Sequence, residues 1–416
     1  MYILYQIFLL IILLFSPIII FLRILKNKEH KKRFLEKFSF YSQKRKLGKL
    51  IWFHGASVGE IMSIIPLIEK YEKDKKINQI LITSSTLSST KIINKFKFKK
   101  TIHQFYPVDI FFINSRFLNF WKPNVAFFIE SEIWPSMFKE IKKKKIPLIL
   151  LNARLTEKSF KKWIKLKEFA KSIFNLISIS YPQNLETANF LKKLGVRNIK
   201  YLGNLKFSEN YDEKKDVLKI KLKKQFSNKK IWIASSTHQN EEVICAKAHI
   251  ELKRKIDNLL TIIIPRHVHR ANEIIPEINK LKLNVVRHSQ KIKNLNNIDI
   301  YLVDTFGETK KFYKIGGTVF LGGSLINRGG QNPLEAARYG NEILHGPNIQ
   351  NFKDVYKLLK SLNFSKKIKN YNELVSLIRF KKNRKISVKI RNIGKKILKN
   401  TVKELDFQIK NEFKKT

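Results

Sequence analysis

Two acidic stretches in a strongly basic chain carry carboxylates that could act as general bases. Glu60 ends HGASVGE, and Glu130 and Glu132 lie in FFIESEIWP, in a chain with 83 Lys+Arg and only 33 Asp+Glu. Each stretch follows an apolar run, so its acids are expected just beyond the carboxyl end of a strand, where ligand clefts form. A carboxylate placed there can take a proton from a substrate hydroxyl.

A purely structural role stays open for both stretches. An acid in the first turn of a helix is favoured by the helix dipole by about 0.3–1 kcal/mol, which would account for Glu60. Ser131 and Glu132 are likewise ordinary residues for the cap of a helix.

A third region stands out by its glycines. Nine of the 15 glycines fall between Gly307 and Gly346, and such a concentration indicates close approach of the backbone to another group. Asn332 then leads into a helix that Pro333 is predicted to open as its first residue. Free N–H groups at that helix start could bind a phosphate, and Glu335 in the first turn could accept hydrogen bonds from a ribose.

Basic residues near this region suggest anion binding rather than metal binding. Arg266 follows the apolar run LLTIIIP and is a candidate phosphate clamp, although a lone arginine there is usually a solvated charge. His267 and His269 have no Cys or Asp beside them, so we expect no metal site. The chain has no P-loop, no G-x-S-x-G and no Asp-x-Asp pair.

The elements that must position these residues alternate along the chain. Short apolar runs separated by amphipathic stretches predict parallel sheets covered by helices on both faces. A polar, charge-rich stretch at 208–230 interrupts the alternation. In the first series the predicted strands are 50–54, 79–84, 125–130, 146–152, 176–180 and 199–203. In the second they are KIWIAS, LLTIIIP, LNVVR, DIYLVD, GTVFLGG and EILHG, followed by a lysine-rich helix from about 384.

The N-terminal segment predicts a membrane anchor. Residues 2–22 carry no charge and are long enough to cross a bilayer as a helix, and basic residues follow from Arg23 onward. Pro17 leaves open whether the helix spans the bilayer or lies in one leaflet. The net charge of +50 suits an anionic membrane surface, although an Ile-, Asn- and Lys-rich composition explains most of it. A single cysteine, Cys245, excludes an internal disulfide framework.

Ten motifs, in order along the chain, resemble those of the 3-deoxy-D-manno-octulosonic acid (Kdo) transferase family. The resemblance covers the chain from the anchor to about residue 355. The motifs are IWFHGASVGE, IESEIWP, LNARLTEKS, GNLKF, SSTHQNEE, PRHVHR, DTFGET, FLGGSL, GGQNPLEAA and GPNIQNF.

The resemblance implies an α/β GT-B fold: two Rossmann-like domains, acceptor on the first and CMP-sugar on the second, with an N-terminal anchor helix. It implies an inverting transfer of Kdo from CMP-Kdo to a lipid A precursor at the cytoplasmic face of the inner membrane, with no cofactor, metal or nucleic acid. The predicted regions are an anchor at 1–25, a first domain at 26–207, a connection at 208–230 and a second domain at 231–416.

The resemblance also implies the site residues. Glu60 would be the general base, and Glu130 and Lys206 would support the transition state. The predicted CMP-binding residues are Pro265, Arg266, Phe306, Gly307, Glu308, Asn332, Pro333, Leu334 and Glu335.

The sequence departs from the family pattern at four positions, which leaves open how these residues would contact CMP. Gln331 stands where the family usually has His, Val268 and His269 replace a proline and an acid, and Thr309 replaces a leucine. Two alternatives remain: a membrane-associated GT-B enzyme using a UDP-sugar, and a non-enzymatic basic protein that binds membranes or nucleic acid. The number of Kdo residues transferred, the acylation of the acceptor and the oligomeric state do not follow from the sequence.

Overall fold

A computed structural model describes residues 1–209, 217–290 and 294–415. The chain divides into two compact units: unit 1 comprises Met1–Asn210 and Gly394–Thr416, and unit 2 comprises Tyr211–Ile393. Each unit contains a parallel sheet with helices between its strands. Two Rossmann-like α/β units are the fold class that the sequence predicts, and the prediction is confirmed.

Unit 1 is built on a sheet of six strands within the described residues, and most residues of these strands are buried. The strands are β1 Leu50–His54, β2 Gln79–Ser84, β3 Thr101–Phe105, β4 Val125–Ile129, β5 Leu148–Ala153 and β6 Ile179–Pro182. The helices are α1 Tyr2–Leu25, α2 Val58–Glu72, α3 Leu87–Ile93, α4 Phe111–Trp121, α5 Pro135–Lys143, α6 Glu157–Ile164, α7 Lys167–Phe174 and α8 Leu185–Lys193. The strand order is β3-β2-β1-β4-β5-β6, so the loops after β1 and β4 are neighbours.

Unit 2 repeats the plan with seven strands among the residues described. The strands are β7 Lys230–Thr237, β8 Leu259–Pro265, β9 Val285–Arg287, β10 Ile300–Leu302, β11 Thr318–Leu321, β12 Glu342–His345 and β13 Ser365–Lys367. The helices are α9 Ile220–Phe226, α10 Glu241–Lys253, α11 Ala271–Asn279, α12 Thr309–Tyr313, α13 Leu334–Arg338, α14 Lys353–Ser361 and α15 Tyr371–Leu377, and a final helix, α16, covers Arg384–Lys415. The order β13-β12-β11-β7-β8-β10-β9 places the loops after β11, β7, β8 and β10 side by side.

The end of the chain belongs to unit 1, not to the second domain predicted at 231–416. From Gly394 onward, α16 packs against unit 1, where Leu405 and Ile409 join the core that also contains β1 and α2 residues. A side chain at Gly394 would overlap the carbonyl oxygen of Phe207, because the gap is only 2.1 Å. Small and apolar residues at helical spacing therefore determine which sheet this lysine-rich helix covers.

The predicted connection at 208–230 also differs from the structure where it can be described. Residues 210–216 lie outside the described residues. Beyond them, α9 belongs to unit 2, and the buried ring of Phe226 packs edge-on against Tyr301 with centroids 5.2 Å apart. Residue 230 already begins β7, so the second half of the predicted connection is part of a folded unit.

One strand prediction in unit 1 was wrong and one strand was missed. Residues 199–203 form no strand; Ile199 makes only an isolated parallel bridge to Ser180. The missed strand is β3, whose sequence TIHQF carries a buried histidine and glutamine, His103 and Gln104. Polar residues in a buried strand conceal the apolar pattern on which the sequence prediction depends.

Candidate active site

Glu60 lies at the carboxyl edge of the unit 1 sheet, in the first turn of α2. Ser57 caps this helix by accepting a hydrogen bond from the main-chain N–H of Glu60 (3.3 Å). The Glu60 carboxylate reaches back, accepting from the Ser57 hydroxyl at 3.0 Å and from the Ala56 N–H at 2.7 Å. The carboxylate thus returns bonds to the hydroxyl of the cap residue and to the N–H of the residue before it, in a variant of the capping box, so a structural role for Glu60 at the helix start is present in the fold.

The surroundings give the same carboxylate unusual acid–base properties. Burial, followed by the charges of Glu132 and Glu130, raises the pKa of Glu60 to about 7. The hydrogen bonds from Ser57 and Ala56 oppose this shift because they stabilise the anion. A base with a pKa near the working pH is well matched to proton transfer. Capping and catalysis are therefore compatible roles for Glu60.

Glu130 and Lys206 form a buried ion pair in the same unit. The Lys206 Nζ lies 2.6 Å from Glu130 Oε1, and the two side chains are 15% and 4% exposed. Glu130 has a left-handed backbone, with φ of 56°, which costs energy in a non-glycine residue and is typical of functional sites. Asn152 links the two partners, because its amide lies 3.5 Å from Glu130 Oε1 and its carbonyl oxygen accepts from the Leu205 N–H (2.9 Å).

A second pair, which the sequence reasoning did not identify, joins β1 to the loop after β4. His54 is fully buried, and its Nε2 lies 3.1 Å from Glu132 Oε2, which also accepts from the Trp134 indole N–H at 2.9 Å. Burial raises the pKa of Glu132, but the contact with His54 outweighs it and lowers the pKa overall. Glu132 is thus held as an anion near Glu60. The FFIESEIWP pattern marked Glu132, but nothing in the pattern indicated His54 as its partner.

The nucleotide-binding residues predicted in unit 2 lie at the ends of three strands, β8, β10 and β11. Pro265 ends β8 and is buried, whereas the side chain of Arg266 is exposed. The Phe306 ring is 90% exposed, and no atom lies within 4 Å of the position that a Cβ of Gly307 would take. Glu308 pairs with Lys311 at 2.8 Å and lines a cavity of about 470 Å³.

The helix start at Pro333 differs from the prediction. Helix α13 begins at Leu334 and has only five residues, so Pro333 precedes it instead of opening it. The Asn332 side chain accepts from the Leu334 N–H at 3.1 Å, which forms an Asx turn just before the helix. The Leu334 side chain is fully buried in the core, which leaves its main chain for the predicted contact with the nucleotide. Glu335 lies half-buried in the first turn.

The concentrated glycines serve internal packing at several positions. A Cβ on Gly322 would lie 2.5 Å from the Ser236 carbonyl oxygen, and one on Gly346 only 2.2 Å from that of Ser324. These loops therefore approach other loops of unit 2 closely. Glu241, which the sequence reasoning also missed, is fully buried and accepts from the N–H groups of Gly323 (2.7 Å) and of His238 (3.0 Å), which fixes the glycine loop.

No group of three or more His, Cys, Asp or Glu residues that could hold a metal ion occurs in the described part of the chain. His267 and His269 stack on each other with ring centroids 5.6 Å apart. The three predicted catalytic residues come together in unit 1, and the predicted nucleotide residues lie at the same edge of the unit 2 sheet, after β8, β10 and β11.

Two Rossmann-like units, each with polar residues at the carboxyl edge of its sheet, place the protein in the GT-B class. A solved structure of similar fold is the UDP-GlcNAc 2-epimerase from Neisseria meningitidis bound to UDP-GlcNAc. It aligns with a TM-score of 0.52 and 15% identity over 85% of this chain and 100% of that one. At this identity the likeness concerns the fold alone.

Sequence comparison identifies the family. Residues 32–209 match the profile of the 3-deoxy-D-manno-octulosonic-acid transferases (kdotransferases). The Kdo transferase of Rickettsia bellii is 34% identical over 363 residues, which are 87% of this chain and 86% of the relative. That of Haemophilus influenzae is 29% identical over 80% of this chain and 79% of its own length. The chain belongs to the Kdo transferase family and is a glycosyltransferase of lipopolysaccharide biosynthesis.

Proposed function

We propose that the protein moves Kdo from CMP-Kdo to a hydroxyl of a lipid A precursor, lipid IVA, with inversion at the anomeric carbon and Glu60 as general base. One observation carries the proposal. The Glu60 carboxylate lies partly buried at the edge of a parallel sheet, with its pKa raised to about 7 beside two further acids. An acceptor hydroxyl needs such a group to remove its proton as it attacks.

In the proposed reaction the acceptor oxygen attacks the anomeric carbon of Kdo. A new carbon–oxygen bond forms as the bond to the phosphate oxygen of CMP breaks, and the bonding electrons leave with CMP. The hydroxyl proton passes to Glu60. The Ser57 and Ala56 hydrogen bonds orient the carboxylate before the proton is transferred, so little reorganisation is needed.

Lys206 is the proposed cation on the unit 1 side of the reaction. Its ammonium group lies 2.6 Å from Glu130, and its side chain is 15% exposed, so it stands in a partly desolvated place, where electrostatic stabilisation is strongest. Glu130 fixes the position of Lys206 and adds negative charge near Glu60.

We assign the CMP moiety to unit 2, with Pro265, Arg266, Phe306, Gly307, Glu308, Asn332, Pro333 and Glu335, and with Leu334 through its main chain. The exposed Arg266 guanidinium suits a phosphate, for which arginine offers paired donors. Arg266 and Lys206 are the charges proposed to replace a metal ion. Transfer that persists in excess EDTA would support this assignment, and transfer restored only by a divalent cation would refute it.

The deciding experiment is mass spectrometry of lipid IVA incubated with the protein and CMP-Kdo. A mass gain equal to one or more Kdo residues supports the proposal and counts the sugars transferred. UDP-sugars serve as control donors. Turnover with a UDP-sugar and none with CMP-Kdo would establish the UDP-sugar alternative instead.

We also propose that the protein works at the cytoplasmic face of the inner membrane, attached through α1. This is a helix of 24 residues with a mean hydropathy of 2.9 over its most apolar window, long and apolar enough to cross a membrane by length and composition. Basic residues follow it at Arg23, Lys26 and Lys28, as expected on the cytoplasmic side. Recovery of the full chain in the soluble fraction of the cell would contradict this placement.

A further inference from the structure

Both ends of α1 are held by unit 1. At its start, the Tyr5 hydroxyl donates to Asp109 Oδ2 at 2.7 Å, and the Phe111 N–H donates to the side-chain oxygen of Gln6 at 3.2 Å. At its end, Arg23 donates to the buried Glu29 at 3.2 Å. Helix α1 is about 36 Å long at 1.5 Å per residue, so these contacts lie far apart along it.

The contacts at the start of α1 are made to a buried and hydrogen-bonded part of unit 1. Asp109 is 2% exposed and also accepts from the N–H groups of Ser136 (2.9 Å) and Met137 (2.7 Å), at the beginning of α5. The same carboxylate thus receives hydrogen bonds from a helix of the fold and from Tyr5. Moving the start of α1 away would leave this buried acid with one partner fewer, which is costly.

Burial along α1 repeats with the period of a helix. The less exposed residues recur every three or four positions on one face, and the opposite face is apolar and exposed over the full length of the helix. The first set is Tyr2, Tyr5, Gln6, Leu9, Ile12, Leu13, Ser16, Ile20, Arg23 and Ile24. The exposed set includes Ile3, Leu4, Ile7, Phe8, Ile11, Leu14, Phe15, Ile18, Leu22 and Leu25.

We infer that α1 lies in the plane of the membrane, with its exposed apolar face in one anionic leaflet, rather than crossing the bilayer. A crossing helix would place its start across about 30 Å of hydrocarbon from the folded unit that follows its end, which the hydrogen bonds of Tyr5 and Gln6 with that same unit do not allow. The Phe111 and Phe112 side chains, 48% and 46% exposed, extend the apolar surface beside Gln6. Positive charge at Lys26 and Lys28 matches a negatively charged lipid surface.

The inferred orientation brings the membrane to the candidate active site. Ser136 and Met137, which share Asp109 with Tyr5, follow Trp134, whose indole donates to Glu132. The start of α1 is therefore hydrogen-bonded to Asp109, which also binds the beginning of α5. Helix α5 directly follows Trp134, which holds Glu132 near Glu60. If the proposed function holds, an acceptor anchored in the leaflet would present its sugar at this edge.

Spin labels placed along the exposed face of α1 test the orientation. Cys245 is fully buried, so single cysteines at Leu4, Leu14 and Leu22 can be labelled selectively in the folded full-length chain. In vesicles of phosphatidylethanolamine and phosphatidylglycerol, we expect the three labels to have the same depth within a few ångströms. A label at Leu13, on the covered face, is the matched control and should be shallower than that at Leu14.

Two results would overturn the inference. A label at Leu14 near the bilayer centre, with those at Leu4 and Leu22 near the two surfaces, would show a spanning helix. Labels that stay out of the lipid and become immobilised as protein concentration rises would show a second copy of the chain on this face. Transfer to a detergent-solubilised acceptor tests the reaction separately, because it needs no bilayer.

The hydroxyl of Tyr5 can be tested by one further pair of variants. Tyr5→Phe removes the bond to Asp109, whereas Tyr2→Phe removes only a longer contact with Ser136 (3.4 Å). We expect Tyr5→Phe to change the depth of the Leu4 label and Tyr2→Phe to leave it nearly unchanged. An unchanged depth in both variants would refute the role of the Tyr5–Asp109 contact.

Discussion

The sheet edge of unit 1, with the predicted catalytic residues, and that of unit 2, with the predicted nucleotide residues, are built in opposite ways. In unit 1 the acids are linked to fixed partners: Glu60 to the Ser57 cap, Glu130 to Lys206 and Glu132 to His54. In unit 2 the predicted ligand-binding groups stand more open, with an exposed Arg266 side chain and a Phe306 ring that is 90% exposed.

We interpret this difference as a difference in role, with proton transfer assigned to unit 1 and donor binding to unit 2. A group that transfers protons needs a fixed geometry and a tuned pKa before the substrate arrives, because misplacement by about 1 Å can cost 10²-fold in rate. A group that binds a large anionic donor can remain solvated and complete its contacts with the ligand. We therefore expect substitutions in unit 1 to change rate and stability, and substitutions in unit 2 to change donor affinity.

The largest effect is expected for Glu60→Gln. The amide cannot accept the acceptor proton, so kcat should fall by about 10²–10⁴-fold, while CMP binding, assigned to unit 2, stays within about twofold. Steady-state kinetics and calorimetric titration with CMP measure the two quantities. Glu69→Gln, on the same helix, is the control. A Glu60→Gln enzyme with near-normal turnover would remove Glu60 from the mechanism.

Lys206→Met should cause the largest loss of stability. The substitution leaves the 4%-exposed Glu130 carboxylate without its ion-pair partner, and breaking a buried pair from one side costs about 3–5 kcal/mol in the free energy of unfolding. Urea denaturation measures the loss. The double variant Glu130→Gln/Lys206→Met should recover part of it, and additive losses would argue against a coupled pair.

The pH dependence of the reaction should reveal the tuned acid in unit 1. Glu60 accepts a proton only when ionised, and its pKa is raised to about 7. The value of kcat/KM should therefore rise about tenfold per pH unit below pH 7 and level off above it. A profile that is flat between pH 5.5 and 8 would show that no group with this pKa limits the reaction.

Arg266→Ala should act on affinity instead of rate. Losing a charged contact to the donor phosphate is expected to raise the KM for CMP-Kdo about tenfold, equal to about 1.4 kcal/mol, with a smaller change in kcat and none in stability. Lys280→Ala, an exposed basic residue elsewhere in unit 2, is the matched control. Equal KM values for the two variants would contradict the assignment of Arg266.

The smallest effect is expected on the free energy of unfolding, because the raised pKa of Glu60 lowers the stability of the folded state once its carboxyl group ionises. Because the folded pKa of about 7 exceeds the ordinary 4.5, the folded state loses stability as pH rises from about 4.5 to about 7, and it loses none below about 4.5. Glu60→Gln should therefore be more stable than the parent protein at pH 8, by less than the roughly 3 kcal/mol that the whole shift represents, because the amide forms weaker hydrogen bonds than the carboxylate, and it should have no advantage at pH 4. Thermal unfolding at both pH values tests this sign.

The hydrophobic pattern of the sequence predicted the bounds of a strand well where the strand contains consecutive apolar residues. Strands β1, β2 and β8 have the predicted bounds, because each contains at least three consecutive apolar residues. Strand β3 escaped detection because His103 and Gln104 are polar yet buried, and residues 199–203 looked like a strand although Gly203 turns the chain against Ile397.

The sequence predicted individual residues of the candidate site from their position after a strand, but not the contacts between them. Glu60 and Glu130 were marked by their place after apolar runs, and Lys206 by the family resemblance. The contact between His54 and Glu132 joins residues 78 positions apart, and Glu241 holds Gly323 from 82 positions away. Such pairs depend on the order of strands in the sheet, which no local pattern contains.

The composition of unit 1 from both ends of the chain has a consequence for biosynthesis. A ribosome makes the chain from the N-terminus, so all of unit 2 is synthesised before Leu405 and Ile409, which complete the core around β1 and α2. Unit 2 can fold while translation continues, whereas unit 1 must wait for the last segment to emerge. The unit whose synthesis starts first is thus completed last, and a nascent chain that stalls near its end would expose the incomplete core of unit 1.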